Sequence, residues 1–379
     1  MRKHPLWALG LFLLMGQLAN QAAHAQEGVT KDTILIGRSA GLTGPIAPRT
    51  KPATEAIQAY FDAVNEAGGV SGRKLKLINL DDGNEAKRAG ENARKLLGDE
   101  KVFALIAQSG GPQTEAVLPM LAEFQAPLVG STSGADNLRK PNKYLFHLKA
   151  SYAQEFAKMA EQMQTTGVTR VALICSDDSA SREALRGAEA ALLKVGLKPA
   201  ATIIIKSGEN AAAAAALGKA EAQAAILVAL PTPAAEFFKD FVKLPVRPQV
   251  FTWSIIVPEA IYKAVGDKAY GLVVSQTVSL PTDRTVALVR EYQDLLKKAK
   301  LQDGGYAGLE GYVYARVMVE GLKRASKTQP PTRAGLMAAL EAMRDYDLGG
   351  DMVNFGGDVN VGRKFVELTI VGRDGRFLR

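Results

Sequence analysis

Residues 34–134 decide the fold. They read ILIGRSAGLTGP from Ile34 to Pro45, AIQAYFDAVNEAGGVSGRKLKLINLDDGNEAKRAGENARKLL from Ala56 to Leu97, VFALIAQSGGPQTEAVLPML from Val102 to Leu121, and APLVGSTSG from Ala126 to Gly134. The short apolar runs read as strands buried on both faces, and the segments between them carry a helical period. Ile57, Tyr60, Phe61 and Val64 recur at i, i+3, i+4 and i+7 and close on Gly68-Gly69. Ala86, Ala89, Ala93, Leu96 and Leu97 form a second such face. Gly- or Ser-rich turns (GLTGP, SGGP, GSTSG) follow three of the strands. At the carboxyl ends of a parallel sheet, such turns aim backbone N–H groups and hydroxyls at one crevice.

Outward from this block the alternation continues. RVALIC, ATIII, AAILVAL and QVFTW are further buried strands, so residues 170–275 repeat the layout of 33–130 without its wording. The Ala211–Ala216 run reads as a plain surface helix, and RKFVELTIVGRDGRF as a hairpin about Asp374-Gly375. GLTGP and SGGP lack the spacing and the Lys of a phosphate loop.

At the N-terminus, Arg2, Lys3 and His4 precede the apolar run Leu6–Met15, too short to span a bilayer, and Ala23-His24-Ala25 follows. A secretory signal peptide over residues 1–25 is expected, with cleavage after Ala25 and, for want of a nearby Cys, no lipid anchor. The remaining chain is too long for one small core and suits two lobes. The net charge of +8 is spread without a Lys/Arg block or interleaved aromatics, which argues against nucleic acid. Cys175 is the only Cys, so no internal disulfide is expected; at the end of a strand it reads as a packed thiol. Only His147 follows the signal peptide, and one isolated His argues against zinc sites and His-dependent hydrolysis.

LTGP, NEAGGVSGRKLKL, DDGNE, YAGLEGYVYARVMVEGL, DLGGDMVNF and TIVGRDGRF closely resemble landmarks of the leucine/isoleucine/valine-binding family. These are the substrate-binding proteins of ABC importers, with the type I periplasmic-binding fold. The resemblance covers nearly the whole chain after residue 25. It implies a clamshell with a hinge of three crossovers, near 147–151, 275–277 and 347–351. A ligand is held between the lobes and stabilises closure by touching both.

Carried onto this chain, the resemblance places first-lobe ligand contacts at Ser109, Gly110 and Gly111, and at Ser131, Thr132 and Ser133. Gly111 and Gly134 stand where relatives carry a hydroxyl, so the donors are shifted; the alternative is that these residues serve backbone geometry alone. In the second lobe Ser254 replaces the acid that pairs with a ligand ammonium, while Ala180 and Pro231 replace aromatic walls. A buried ammonium without an anion costs several kcal/mol, which argues against an α-amino acid. Trp253 is read either as a replacement wall or as core. Arg49 stands where relatives place an apolar residue over the ligand. It is read either as a bidentate partner for a carboxylate or, with Lys51, as the solvated rim of a loop between Pro48 and Pro52. Asp177 and Asp178 read as helix caps before ligand contacts.

The expected architecture is α/β, with two doubly wound parallel-sheet lobes joined by a three-strand hinge. Residues 26–148 with 277–348 make the first lobe, and 149–276 with 349–379 the second. The resemblance implies a non-enzymatic, monomeric receptor in a Gram-negative periplasm, with no cofactor and no metal. It would pass a small carboxylate-bearing ligand, not a branched-chain amino acid, to the permease subunits of an ABC importer. The alternative is a sensor of the same fold that signals to a membrane partner.

Overall fold

Two parallel sheets organise the chain in the computed structural model, which describes residues 27–357 and 359–378. The expected signal peptide lies outside the described residues. The first sheet holds β1 (Thr33–Ala40), β2 (Lys74–Asp81), β3 (Ala104–Gln108), β4 (Leu128–Ser131) and β5 (Leu145–Phe146), in the order β2-β1-β3-β4-β5. Helices α1 (Ala47–Glu66), α2 (Ala86–Arg94) and α3 (Gly111–Glu123) connect its first four strands. The second sheet holds β6 (Val171–Ser176), β7 (Pro199–Ile205), β8 (Ala224–Val228), β9 (Gln249–Thr252) and β10 (Val273–Gln276). It is served by α4 (Tyr152–Thr165), α5 (Ser179–Lys194), α6 (Asn210–Lys219), α7 (Pro231–Phe241) and α8 (Pro258–Val265).

From Thr277 the chain returns to the first core through α9 (Ala287–Ala299), α10 (Gly305–Ala325) and α11 (Arg333–Glu341). The ribbon β11 (Tyr346–Asp347) and β12 (Met352–Val353) follows. Val353 and Phe355 still pack in the first core. The chain re-enters the second sheet at β13 (Glu367–Val371), which with β14 (Phe377–Leu378) forms the expected antiparallel hairpin beside β10. Without that hairpin the second sheet reads β7-β6-β8-β9-β10, the order of the first. Each sheet therefore has a switch point, between β1 and β3 or between β6 and β8, where a crevice opens at the strand ends. Fully buried β3 and β8 explain their unbroken apolar sequences.

One expectation is corrected in α1. Arg49 and Lys51 do not lie in a loop, because the helix starts at Ala47 and encloses both prolines. Pro48 sits in the first turn, whose N–H groups lack helical partners in any case, so it forfeits no bond. The earlier start turns Arg49 inward against α10. The two helices touch at Gly311, where a Cβ would stand 2.4 Å from the Ala53 carbonyl oxygen.

The third crossing lies between Phe355 and β13, and buried Arg363 on that segment ties it to the other two and to Asp351. Its Nε donates to Asp351 Oδ1 at 3.0 Å, its Nη1 to the Leu148 carbonyl at 2.9 Å and its Nη2 to the Thr277 carbonyl at 3.1 Å. Beside this knot, the His147 amide donates to the Asn360 carbonyl at 2.7 Å, and the His147 carbonyl accepts the Gly362 N–H at 2.8 Å. Burial, reinforced by Arg139, pushes the imidazole down to about 3, so it is a neutral structural group. Burial likewise pushes the Cys175 thiol up to about 12, which leaves little thiolate.

Candidate functional site

The ends of β1, β3 and β4 build one wall of the interlobe cleft. Ser109, Gly110 and Gly111 follow β3; Ser131, Thr132 and Ser133 end β4 or follow it. Gly110 has φ +78°, and a Cβ there would meet the Gln113 side chain at 1.9 Å, so glycine is required. It is the N-cap of α3 and leaves that helix without a side-chain cap. Anions are favoured at such an N-terminus. Ser109 Oγ accepts the Gly41 N–H at 3.1 Å and thereby links the turns after β1 and β3. Ser131 Oγ lies 2.8 Å from Thr114 Oγ1, and Ser133 Oγ lies 3.3 Å from the Tyr152 hydroxyl. Thr132 is buried beside them, its amide donating to the Gln108 carbonyl at 2.9 Å.

The opposite wall comes from the turn after β9 and from the start of α4. Ser254 donates its N–H and its hydroxyl to Glu155, each at 2.8 Å, and Ser275 donates to the same carboxylate. Behind the wall, Trp253 turns into the second core and is 1% exposed. Its indole N–H donates to the Ala229 carbonyl at 2.9 Å, and its ring lies 4.7 Å from that of Tyr152. Tyr152 therefore stands between Trp253 and Ser133. The capping box Ser151–Gln154 fixes the start of α4 and with it the placement of Tyr152.

Arg49 joins the walls. It is 5% exposed, pairs through Nη2 with Glu310 of α10, and donates from Nη1 to the Ser254 carbonyl at 2.6 Å. The solvated-rim reading therefore does not describe it, and both nitrogens of a bidentate clamp are already engaged. Glu310 also accepts Lys149 Nζ at 3.3 Å and the Tyr314 hydroxyl at 2.7 Å. Burial pushes the Glu310 carboxyl up, but Arg49, Lys149 and these hydrogen bonds together hold it below its ordinary value. Burial pulls the Lys149 ammonium down despite the attraction of Glu310.

The lobes also meet where Thr232 Oγ1 donates to the Pro45 carbonyl at 3.3 Å and where the Ala153 N–H donates to Asp136 Oδ2 at 3.1 Å. A cavity of about 370 Å³ opens beside Arg49, bordered by Pro48, Ile256, Val257, Gln276 and Tyr306. At the mouth of β6, Asp178 caps α5 by accepting the Ser181 N–H at 2.9 Å, as expected, and Asp177 pairs with Arg182.

Sequence reasoning picked out Arg49, Ser254 and the hydroxyl turns but missed Lys149, Tyr152, Glu155, Gln276 and Glu310. A usable signal existed for Glu310: it is the acid within LEGYVYA, a helical stretch buried on every face.

The periplasmic binding protein family profile matches residues 33–367. A Leu/Ile/Val-binding protein of Rhizobium johnstonii is 35% identical over 111 residues, so the match spans 28% of this chain and only 29% of that relative's length. The crystal structure of a substrate-binding periplasmic protein from Ralstonia solanacearum superposes with a TM-score of 0.85 at 29% identity, covering 91% of this chain and 99% of that one. A possible leucine/isoleucine/valine-binding protein from Rhodopirellula baltica superposes with a TM-score of 0.84 at 25% identity, over 95% and 98% of the two chains.

Proposed function

The chain belongs to the periplasmic binding protein family, and from that premise we propose a periplasmic receptor that closes on a small carboxylate-bearing ligand and delivers it to the permease of an ABC importer. The observation that carries the ligand class is the asymmetry of the cleft. On one wall, α3 presents an N-terminus without a side-chain cap next to Ser131 and Ser133, an environment that favours a carboxylate. On the other, Ser254 stands where an acid would hold an ammonium, and the Glu155 carboxylate behind it is already met by three neutral donor groups.

The proposed contacts are Ser109, Gly110, Gly111, Ser131, Thr132 and Ser133 for the acid, with Arg49, Ser254 and the Trp253-backed Tyr152 around the body of the ligand. The family consists of solute-binding proteins, and the reading requires no chemical step. A thermal-shift screen of the purified protein against amino acids, aromatic acids, dicarboxylates and amides tests it. A ligand at a hundred times its dissociation constant stabilises by about 2.7 kcal/mol. Acids lacking an amine are expected to give the large shifts; a response confined to amino acids would contradict the ligand class. Uptake by vesicles carrying the cognate permease, dependent on the added protein, tests delivery.

A further inference from the structure

Arg49 reaches from the first turn of α1 to the opposite lobe, where an acid of the first lobe and a carbonyl of the second converge on its guanidinium. That arrangement is a binding site for a cation, and the chain supplies the cation itself. We propose that Arg49 is the residue that excludes amines: when the lobes meet it fills the cation subsite formed by Glu310 and the Ser254 carbonyl, so the cleft takes ligands that carry no ammonium. The inference rests on the cleft's being the ligand site and sharpens the ligand class proposed for it.

Three observations carry the argument. Lys149 cannot take over the role, because its Nζ binds the other oxygen of Glu310 and Thr277 Oγ1 at 2.9 Å, on the hinge side. An incoming ammonium would have to displace the guanidinium and leave it buried without its anion, a strongly unfavourable exchange. Finally, Arg49 Nε has no partner, although it is buried, and Arg49 borders the cavity of about 370 Å³. A single N–H suits one acceptor oxygen of a ligand whose body lies among Pro48, Ile256 and Tyr306. Asp303, which also borders the cavity, is solvent-exposed, so solvent weakens its pull on a cation; burial pushes the Glu259 carboxyl up and disfavours its charged form, although Arg49 partly offsets this.

Chemical rescue tests this without knowledge of the natural ligand. Arg49→Ala and Arg49→Gln are compared with the wild type by thermal melting and small-angle scattering, with and without about 10 mM methylguanidinium. The expected result is a rise in melting temperature and compaction for Arg49→Ala, no change for the wild type, and loss of the rise in Arg49→Ala/Glu310→Gln. Arg49→Ala is also expected to gain at least about tenfold in affinity for n-butylamine over the wild type. An equal response of wild type and variant, no response in either, or a rescue indifferent to Glu310 would overturn the proposal. A variant that folds only with methylguanidinium supports it, whereas variants that fail to fold even then would overturn it. Rescue of Arg49→Ala, in a protein whose wild type binds no acid, would refute the carboxylate reading and leave the cation subsite standing.

Discussion

Two buried arginines hold this molecule together across its lobes, and they do so differently. Arg363 at the hinge is saturated: Asp351 and the Leu148 and Thr277 carbonyls engage all three of its nitrogens, which ties its own segment between Phe355 and β13 to the other two crossovers. Arg49 in the cleft keeps Nε unpartnered and depends on a carbonyl of the opposite lobe for its second bond. A saturated network fixes a pivot, whereas one that needs the other lobe for completion can be made and broken as the lobes move. The contrast assigns the hinge to stability and the cleft to recognition.

The largest effect expected is at the hinge. Arg363→Ala leaves Asp351 buried without its cation and is expected to lower unfolding stability by about 3–5 kcal/mol in a urea titration. A smaller loss than that of Arg49→Ala would break the comparison.

Next comes the pH dependence contributed by His147. Its folded-state value of about 3 lies below the unfolded value near 6.5, so the unfolded chain binds more protons between them. The neutral imidazole's contribution is therefore complete above pH 6.5 and is lost as pH falls toward 3, with a slope of up to about 1.4 kcal/mol per pH unit. Urea titrations at several pH values should show this slope in the wild type and a shallower one in His147→Gln. Equal slopes would remove His147 from the hinge account.

Arg49→Ala should cost about 1–3 kcal/mol, because Glu310 keeps Lys149 and Tyr314. Its more telling signature is a larger radius of gyration in scattering; an unchanged radius would mean that Arg49 does not help hold the lobes together. Ser254→Ala should be mildest, about 0.5–1.5 kcal/mol in the same titration. It removes one hydroxyl from Glu155 while the Ser254 N–H and Ser275 remain.

Much of the fold was legible because its signals are local. The helical face of Ile57, Tyr60, Phe61 and Val64, the Asp178 cap and the Asp374-Gly375 hairpin each follow from a few neighbouring residues. The start of α1 was misread because Pro48 and Pro52 suggest a loop, although Pro48 in the first helical turn loses no bond and the long helix tolerates Pro52 inside it. At the site, Arg49 stood out as an odd residue, but its surroundings did not. Glu310 lies 261 positions away and Ser254 205, and nothing in the wording of either segment points to the other. Trp253, open to two readings, turned inward because its indole N–H finds the Ala229 carbonyl within its own lobe. Its ring meets the cleft through Tyr152.

Titration calorimetry with leucine and with 4-methylpentanoate, the same skeleton without the amine, tests the central claim most directly. The ammonium meets Arg49 where the plain acid does not. The account predicts that the acid binds more tightly than leucine by roughly thirty-fold or more, the equivalent of at least about 2 kcal/mol. Submicromolar binding of leucine, with the acid weaker, would contradict it.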